Sequence, residues 1–244
     1  MSETPVLDVA DVGVSYGAGF VISDVNLQVR AGEFVGLIGV NGAGKTSLIK
    51  TILGLRDADA GKVCVMGKVV SQNHVSPSLA FLPERFEPSW FLTGLEFLRF
   101  SSGLYKVKWS DADYELYALR LALDPAALRR RVQTYSKGMR QKLGVLAAVM
   151  TKAPLLVLDE PMSGLDPVAR TLVKDLLLEV KGQGRTIFVS SHILADMDEL
   201  CDKVALLHNK KLQFLGTPAD LKAQTGDDSL ERAFLHFIEV RRAA

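Results

Sequence analysis

The segment that most constrains the fold matches the pattern G-x-x-x-x-G-K-[S/T] in full. With the small polar residue that follows, it reads Gly39, Val40, Asn41, Gly42, Ala43, Gly44, Lys45, Thr46 and Ser47. An apolar run at 34–39 precedes it, and a helical pattern at 46–55 overlaps its end. Glycines let backbone N–H groups converge on phosphate oxygens, and the following helix presents its positive end. The segment therefore predicts a nucleotide-binding loop, with Lys45 on the terminal phosphates and Thr46 on Mg²⁺.

A second informative run is Leu155-Leu156-Val157-Leu158, which is followed directly by Asp159 and Glu160. The apolar residues predict a buried strand with two acids at its carboxyl end. We expect Asp159 to orient Mg²⁺ through water and Glu160 to polarise the water that attacks the nucleotide. Together with the loop at 39–46, this arrangement predicts a hydrolytic site.

The hydrophobic pattern along the chain predicts an α/β fold. Short alternating strands are expected over 6–30, with turns at Gly13, Gly17 and Gly19. Buried strands are expected at 155–158 and 186–190, separated by a helix at 167–181. This alternation is typical of a mostly parallel sheet that is covered on both faces.

The stretch from about 83 to 150 has a different sequence pattern, with helix-like segments broken at Gly94, Gly103 and Asp124-Pro125. We therefore expect a P-loop NTPase core of mostly parallel sheet with an antiparallel β subdomain and an inserted helical subdomain. The expected organisation is a single ATPase domain over 1–244, divided into β-rich and core residues 1–82, a helical insertion at about 83–150, core residues 151–220 and a short tail at 221–244.

Composition excludes several classes of protein. Hydrophobic residues make up 48% and charged residues 23%, which is typical of a globular domain. The net charge is only +1, so no nucleic acid partner is expected. The first residues lack the pattern of a signal peptide, and no apolar run approaches ~18 residues. We expect a cytoplasmic protein, attached to a membrane only through other polypeptides.

The order of these motifs resembles the ATP-binding subunit of an ABC transporter, and the resemblance covers nearly the whole chain. It implies that Ser163-Gly164-Leu165-Asp166 is the D-loop, from which Asp166 crosses to a partner subunit. It also implies that His192 contacts the γ-phosphate and that Tyr16 stacks on adenine. Taken alone, a lone histidine is more often structural, and a tyrosine beside glycines is as often a turn residue.

The family signature, usually Leu-Ser-Gly-Gly-Gln, corresponds here to Tyr135-Ser136-Lys137-Gly138-Met139. Only Ser136 and Gly138 are retained. A hydroxyl and a bare amide at the start of a helix can bind the γ-phosphate of an ATP held by the other subunit. The same residues taken alone are typical of a serine-capped helix. Lys137 and Met139 depart from the family pattern and leave the strength of cross-subunit binding open.

The resemblance places Glu84 where the family usually has the glutamine of the Q-loop. A carboxylate can ligate Mg²⁺, but Glu84 can equally be a surface acid on a loop. An aromatic-rich tract follows, and its rings either fill the core of the helical subdomain or grip a helix of a membrane subunit. Trp90 and Phe91 are the best candidates for exposed contact residues.

The resemblance implies an ATP-binding and ATP-hydrolysing subunit that uses ATP and Mg²⁺ and closes as a dimer. The second ATP-binding subunit is either identical or different, and separate transmembrane permease subunits hold the pair on the inner face of the cell membrane. Chain length favours a small exporter subunit. The alternatives are a soluble ABC-type ATPase that acts on nucleic acid, ribosomes or assembly, and an inactive scaffold. The intact Lys45, Asp159, Glu160 and His192 disfavour the scaffold.

Overall fold

The computed structural model describes residues 4–17, 19–72 and 76–243. The strands are β1 Leu7–Tyr16, β2 Gly19–Val29, β3 Phe34–Ile38, β4 Ala60–Val65, β5 Lys68–Val69, β6 Leu79–Leu82, β7 Leu155–Asp159, β8 Thr186–Ser190, β9 Lys203–His208 and β10 Lys211–Gly216. The helices are α1 Lys45–Ile52, α2 Gly94–Leu104, α3 Asp111–Arg120, α4 Pro125–Leu128, α5 Lys137–Met150, α6 Pro167–Gly182, α7 Leu194–Leu200, α8 Pro218–Thr225 and α9 Leu230–Ala243, with a 3-10 turn at Val132–Thr134.

The chain divides into two compact units. The first unit comprises Met1–Ser78 with Thr186–Ala244, and the second comprises Leu79–Arg185. Over the parts that the structure describes, no helix combines the length and the apolar character needed to cross a membrane.

An antiparallel sheet in the first unit has the strand order β2-β1-β4-β5. It is the antiparallel subdomain expected from the sequence, but β1 and β2, with 10 and 11 residues, are longer than the short strands predicted over 6–30. The turn predicted at Gly13 is wrong, because Gly13 lies inside β1. The ring of Phe20 accounts for the absence of a side chain at position 13, because a Cβ there would lie 2.9 Å from Cε1 of Phe20. Gly13 is thus a packing glycine in a strand rather than a turn residue.

A second sheet in the first unit has β3 at its centre. β3 pairs in parallel with β8 on one side and β9 on the other, and β10 pairs antiparallel with β9. Every residue of β3 and β8 is buried, as expected of parallel strands that are covered on both faces. The strands predicted from the apolar runs that begin at Phe34 and Thr186 are confirmed.

The second unit combines the parallel pair β6–β7 with five helices, α2–α6. Capping boxes fix where two of the helices begin: Thr93 with Glu96 at α2, and Ser110 with Asp113 at α3. The backbone N–H of Thr93 donates to Glu96 and holds the pKa of that carboxyl below its usual value. Helix α2 ends at Leu104, one residue beyond the break predicted at Gly103.

Candidate nucleotide-binding and catalytic site

The predicted phosphate-binding loop lies in the first unit, between β3 and α1. The strand is fixed by hydrogen bonds to a neighbour on each side. Helix α1 begins at Lys45, and its N-cap residue Gly44 has no side chain with which to cap the helix. The first backbone N–H groups of α1 and the positive end of its dipole therefore form a site suited to a phosphate.

The glycines of this loop are needed for two physical reasons. Gly42 and Gly44 have φ of 78° and 105°, in the left-handed region that favours glycine. A Cβ on Gly44 would lie 2.3 Å from Cγ2 of Ile22 in β2. A Cβ on Gly39 would lie 2.4 Å from the carbonyl oxygen of Leu207 in β9. Positions 39 and 44 therefore have no room for a side chain.

Lys45 is folded back over the loop that precedes it. Its Nζ donates to the carbonyl oxygens of Gly39 at 2.7 Å and Val40 at 3.2 Å. These bonds hold a positive charge at the loop. Thr46 is exposed beside it in the first turn of α1, whereas Ser47 is buried. The lysine and threonine predicted from the motif thus lie together where α1 begins.

Tyr16 lies at the end of β1 with 53% of its surface exposed. The guanidinium of Arg56 stands 4.7 Å from the centre of its ring and donates to the carbonyl oxygen of Ser15 and to Asp59. The backbone N–H of Ser15 also donates to Asp59 and keeps the pKa of that carboxyl below its usual value. Tyr16 is therefore a positioned, exposed aromatic ring, and Arg56, which the sequence did not suggest, positions it.

His192 follows β8 directly and precedes α7 in the first unit. It is exposed, while the neighbouring Ser191 is buried and its hydroxyl accepts from the backbone N–H of Ile193 at 3.0 Å. The short connection is therefore fixed by Ser191. His192 stands at the carboxyl end of a buried parallel strand, where ligand-binding residues of α/β folds are found.

The predicted acids lie in the second unit, at the carboxyl end of β7. Asp159 is 7% exposed and Glu160 8% exposed, so both carboxylates are largely removed from solvent. Glu160 has φ of 51°, in a region that non-glycine residues rarely adopt and that costs about 1–3 kcal/mol. Such strain persists only where the surrounding structure imposes it. The chain reverses here through a turn closed by the bond from Ser163 N–H to the Glu160 carbonyl.

Gln141 of α5 holds this turn, and it was not among the residues singled out from the sequence. It is 5% exposed, and its Nε2 donates to the carbonyl oxygens of Glu160 at 3.2 Å and Pro161 at 2.9 Å. A single glutamine among the apolar positions of α5 is the pattern that could have indicated it.

Ser136 is the N-cap of α5, and its hydroxyl accepts from the backbone N–H of Met139 at 3.2 Å. It is exposed, as is Lys137. A Cβ on Gly138 would meet only ordinary contacts, 3.7 Å from Leu165 and 3.9 Å from the Gly164 carbonyl oxygen. The alternative of a serine-capped helix therefore describes the geometry of Ser136 correctly. It leaves Gly138 without a steric reason among the residues that the structure describes.

Asp166 also has a local structural role. Its carboxylate accepts from the backbone N–H of Ala169 at 2.9 Å, which makes it the N-cap of α6, and Pro167 follows as the first helical residue. The residue is exposed. The loop before it contains Gly164, which has φ of 72° and packs against the side chain of Lys137.

Glu84 is exposed and lines a cavity of about 770 Å³ in the second unit. Gln141 and Ser163 line the same cavity, as does Trp90. Trp90 and Phe91 are each 70% exposed, as the sequence predicted for contact residues, whereas Phe86 and Phe97 pack edge to face at 5.5 Å. Some rings of the aromatic tract therefore pack inside the helical subdomain, and Trp90 and Phe91 are exposed.

Each predicted residue falls in one of the two units. The first unit holds Tyr16, Gly39, Val40, Asn41, Gly42, Ala43, Gly44, Lys45, Thr46, Ser47 and His192, and the second holds Glu84, Ser136, Gly138, Asp159, Glu160 and Asp166.

Across the described residues, no group of three or more His, Cys, Asp and Glu side chains could hold a metal ion. A P-loop site does not need such a group of side chains, because a hydroxyl and the phosphate oxygens supply its metal ligands.

The parallel strands and the loop between β3 and α1 define a P-loop nucleotide-binding protein of the α/β class. Residues 22–163 match the family model described as ABC transporter. The chain belongs to the ABC transporter family.

Relatives of known sequence agree with this assignment. An uncharacterized ABC transporter ATP-binding protein of Synechocystis is 34% identical over 226 residues, which cover 88% of this chain and 64% of that protein. A fluoroquinolones export ATP-binding protein of Mycobacterium tuberculosis is 36% identical over 207 residues, which cover 82% of this chain and 66% of that protein. This chain therefore spans less than two thirds of the length of these relatives.

Solved structures agree on the fold. The structure of an ATP-binding subunit of an ABC transporter has a TM-score of 0.88 at 32% identity and covers 96% of this chain and 99% of that one. A dimeric ATP-binding cassette in a post-hydrolysis state, bound to ADP and Pi, has a TM-score of 0.77 at 20% identity, covering 86% and 98%. At 20% identity, the similarity to the second structure supports the assignment of the fold and nothing further.

Proposed function

We propose that this chain is the ATP-binding and ATP-hydrolysing subunit of an ABC exporter. The observation that carries the proposal is the loop between β3 and α1. Its two left-handed glycines lead into a helix whose first N–H groups have no side-chain cap, and a lysine ammonium is held beside them. This combination suits the phosphates of a nucleotide.

In this proposal the loop residues Gly39–Ser47 wrap the phosphates, and Lys45 exchanges its bonds to the Gly39 and Val40 carbonyls for bonds to the β- and γ-phosphates. Tyr16 stacks on the adenine. Thr46 and Asp159 hold Mg²⁺, which neutralises phosphate charge when bound. Glu84 is either a third ligand or a surface acid, and its exposure suits both roles.

Hydrolysis is assigned to the end of β7 and the end of β8. Glu160 accepts a proton from the attacking water, and His192 donates to the γ-phosphate. Burial of Glu160 favours this role, since the surrounding protein shields the carboxylate from bulk water.

A second ATP-binding subunit completes each site in the proposal. Gly138 supports this idea, because glycine is a poorer helix former than alanine and none of the described residues lies close enough to require it. A phosphate approaching from another subunit would require such a bare amide. Ser136 and Asp166 then contact the partner, and closure of the pair on ATP is the power stroke.

Permease subunits are the other partners that we propose. The exposed rings of Trp90 and Phe91 and the neighbouring cavity, which is lined by apolar and charged side chains, offer a docking place for a permease segment, which would hold the chain at the inner face of the membrane. No nucleic acid partner is proposed, in keeping with the net charge of +1. Residues 1–244 then act as one ATPase domain with a helical insertion at about 83–150. The relative named for fluoroquinolone export supports export as the direction.

The assignment of Glu160 is tested by Glu160→Gln, which keeps the shape of the side chain but removes the base. ATP hydrolysis should fall by about 100-fold or more, while the affinity for ATP stays at the wild-type level. The exposed Glu231→Gln, at the start of α9, is the control and should leave hydrolysis unchanged. A Glu160→Gln protein that hydrolyses ATP at the wild-type rate would refute the assignment.

Docking is tested by Trp90→Ala, measured as the amount of this chain that co-purifies with membrane polypeptides from detergent extracts. We expect a clear loss with hydrolysis of ATP by the isolated chain retained. Phe100→Ala is the matched control, because Phe100 is a 58% exposed aromatic residue that does not line the cavity. Equal recovery of the Trp90→Ala protein and the wild type would remove the main support for docking at this place.

A further inference from the structure

Gln141 is a buried side-chain amide that joins α5 to the turn carrying Glu160. Its Nε2 has two hydrogens, and the structure gives each a backbone carbonyl: Glu160 at 3.2 Å and Pro161 at 2.9 Å. The residue lies five positions after Ser136, in the second turn of the same helix. It contacts the backbone of the turn, so any side chain at position 160 would experience the same restraint.

The turn needs this restraint because of its backbone conformation. Glu160 has φ of 51°, which a glutamate adopts only when its surroundings impose it. The two carbonyls that Gln141 binds belong to consecutive residues, so the bonds fix the backbone on both sides of the Glu160–Pro161 peptide. Because the direction of the Glu160 side chain follows from its backbone torsions, fixing them also sets the direction of the carboxylate.

Helix α5 is itself fixed at its far end. Arg185 donates to the carbonyl oxygens of Val149 at 2.6 Å and Ala153 at 2.8 Å, and Trp109 donates to that of Met150 at 2.8 Å. Burial lowers the pKa of Arg185 to about 10, which records how far this anchor is removed from water. The amide of Gln141 therefore projects from a helix that is fixed near its end.

We propose that Gln141 is a positioning residue for ATP hydrolysis, which holds the strained Glu160 turn so that the carboxylate faces the attacking water. The inference rests on the proposed role of Glu160 as the base. Gln141 itself has no contact with nucleotide in this proposal. Its loss should therefore lower kcat and leave the affinity for ATP and the KM unchanged.

The first test is Gln141→Met, which keeps the approximate volume and removes both donors. We expect kcat to fall by about 10- to 100-fold, as for a base displaced by about 1 Å, with KM within about twofold of wild type. Rates are normalised to the amount of bound ATP, so that unfolded protein does not lower the calculated kcat. The control is Gln183→Met, since the Gln183 amide donates only to the exposed Glu179 carboxylate and its loss should leave kcat unchanged.

The second test is Gln141→Glu, which has the same shape but presents a carboxylate to two carbonyl oxygens. Burial raises the pKa of such a carboxyl, so lowering the pH from about 8 to 6 should protonate it and restore one donor. The ratio of its kcat to that of wild type should therefore rise as the pH falls. A purely structural role of Gln141 predicts a constant ratio once bound ATP is used for normalisation.

The two proposals fail in different ways. If Glu160→Gln hydrolyses ATP normally, the assignment of the base is wrong whatever Gln141 does. If Glu160→Gln is inactive while Gln141→Met retains wild-type kcat, the inference about Gln141 is overturned and the proposed function stands. A parallel rise of KM and fall of kcat in Gln141→Met would also overturn it, because that result indicates damage to ATP binding.

Discussion

The phosphate-binding loop and the turn that carries Glu160 both contain residues with left-handed backbone, yet they are stabilised in different ways. In the loop, glycines occupy the unusual conformations, at Gly42 and Gly44. In the turn, a glutamate occupies one, and a buried amide from another helix holds it there. The first shape is encoded by residues of the segment itself, whereas the second depends on a side chain 19 residues earlier in the chain.

This difference explains why the two regions tolerate change differently. Substitution within the loop acts directly on the shape that binds phosphate, because Gly39 and Gly44 have no space for a Cβ. The turn can be altered without changing any residue in it. A site held by its own glycines is robust to distant substitutions, and a site held by a distant side chain is not.

The largest effect is expected for Gly44→Ala, because it combines an unfavourable φ with a contact of 2.3 Å to Ile22. We expect the affinity for ATP to fall by at least about tenfold, with lower thermal stability. The control is Gly184→Ala, which has φ of 88° and no atom within 4 Å of the new Cβ. It should cost about 1–2 kcal/mol of stability and no affinity. Equal losses of affinity in both variants would mean that general destabilisation of the protein, and not a change in the shape of the loop, lowers the affinity for ATP.

An intermediate effect is expected for Gly164→Ala. Its φ of 72° makes alanine strained, but the atom nearest to the new Cβ is the flexible Lys137 Cε at 2.8 Å. We expect a loss of about 1–2 kcal/mol in the free energy of unfolding. In the double variant with Lys137→Ala, the strain should remain and the contact should disappear, which gives a coupling of about 0.5 kcal/mol or more in a denaturation cycle. Strict additivity would show that Lys137 does not restrain this loop.

The smallest effect on stability is expected for Ser136→Ala, which removes the N-cap of α5 and should cost about 1 kcal/mol. Ser110→Ala removes an equivalent cap from α3 and should cost a similar amount. Only Ser136→Ala should also lower the rate of ATP hydrolysis, because the proposed partner nucleotide binds there. Equal hydrolysis rates in the two variants would leave Ser136 as a structural cap only.

The strands of the core were predictable because apolar runs and the glycine motif are local signals. The helix predicted over 167–181 is observed as Pro167–Gly182, with Pro167 at its start. The turn predicted at Gly13 failed, because the reason for that glycine is the ring of Phe20 on another strand. Arg56 and Gln141 were also missed, since each acts through a backbone or ring contact that no local pattern records.

The position of β3 in the sheet determines the stage of synthesis at which its strand pairing can form. β3 lies early in the chain, but both strands that pair with it, β8 and β9, are synthesised after residue 185. The backbone N–H of Phe34 is bound by Asp202, 168 residues away, and Gly39 packs against Leu207. A nascent chain on the ribosome that ends before β9 therefore has the glycines of the phosphate-binding loop but lacks the strand against which Gly39 packs, so the surroundings of the loop are completed only after Leu207 has been synthesised.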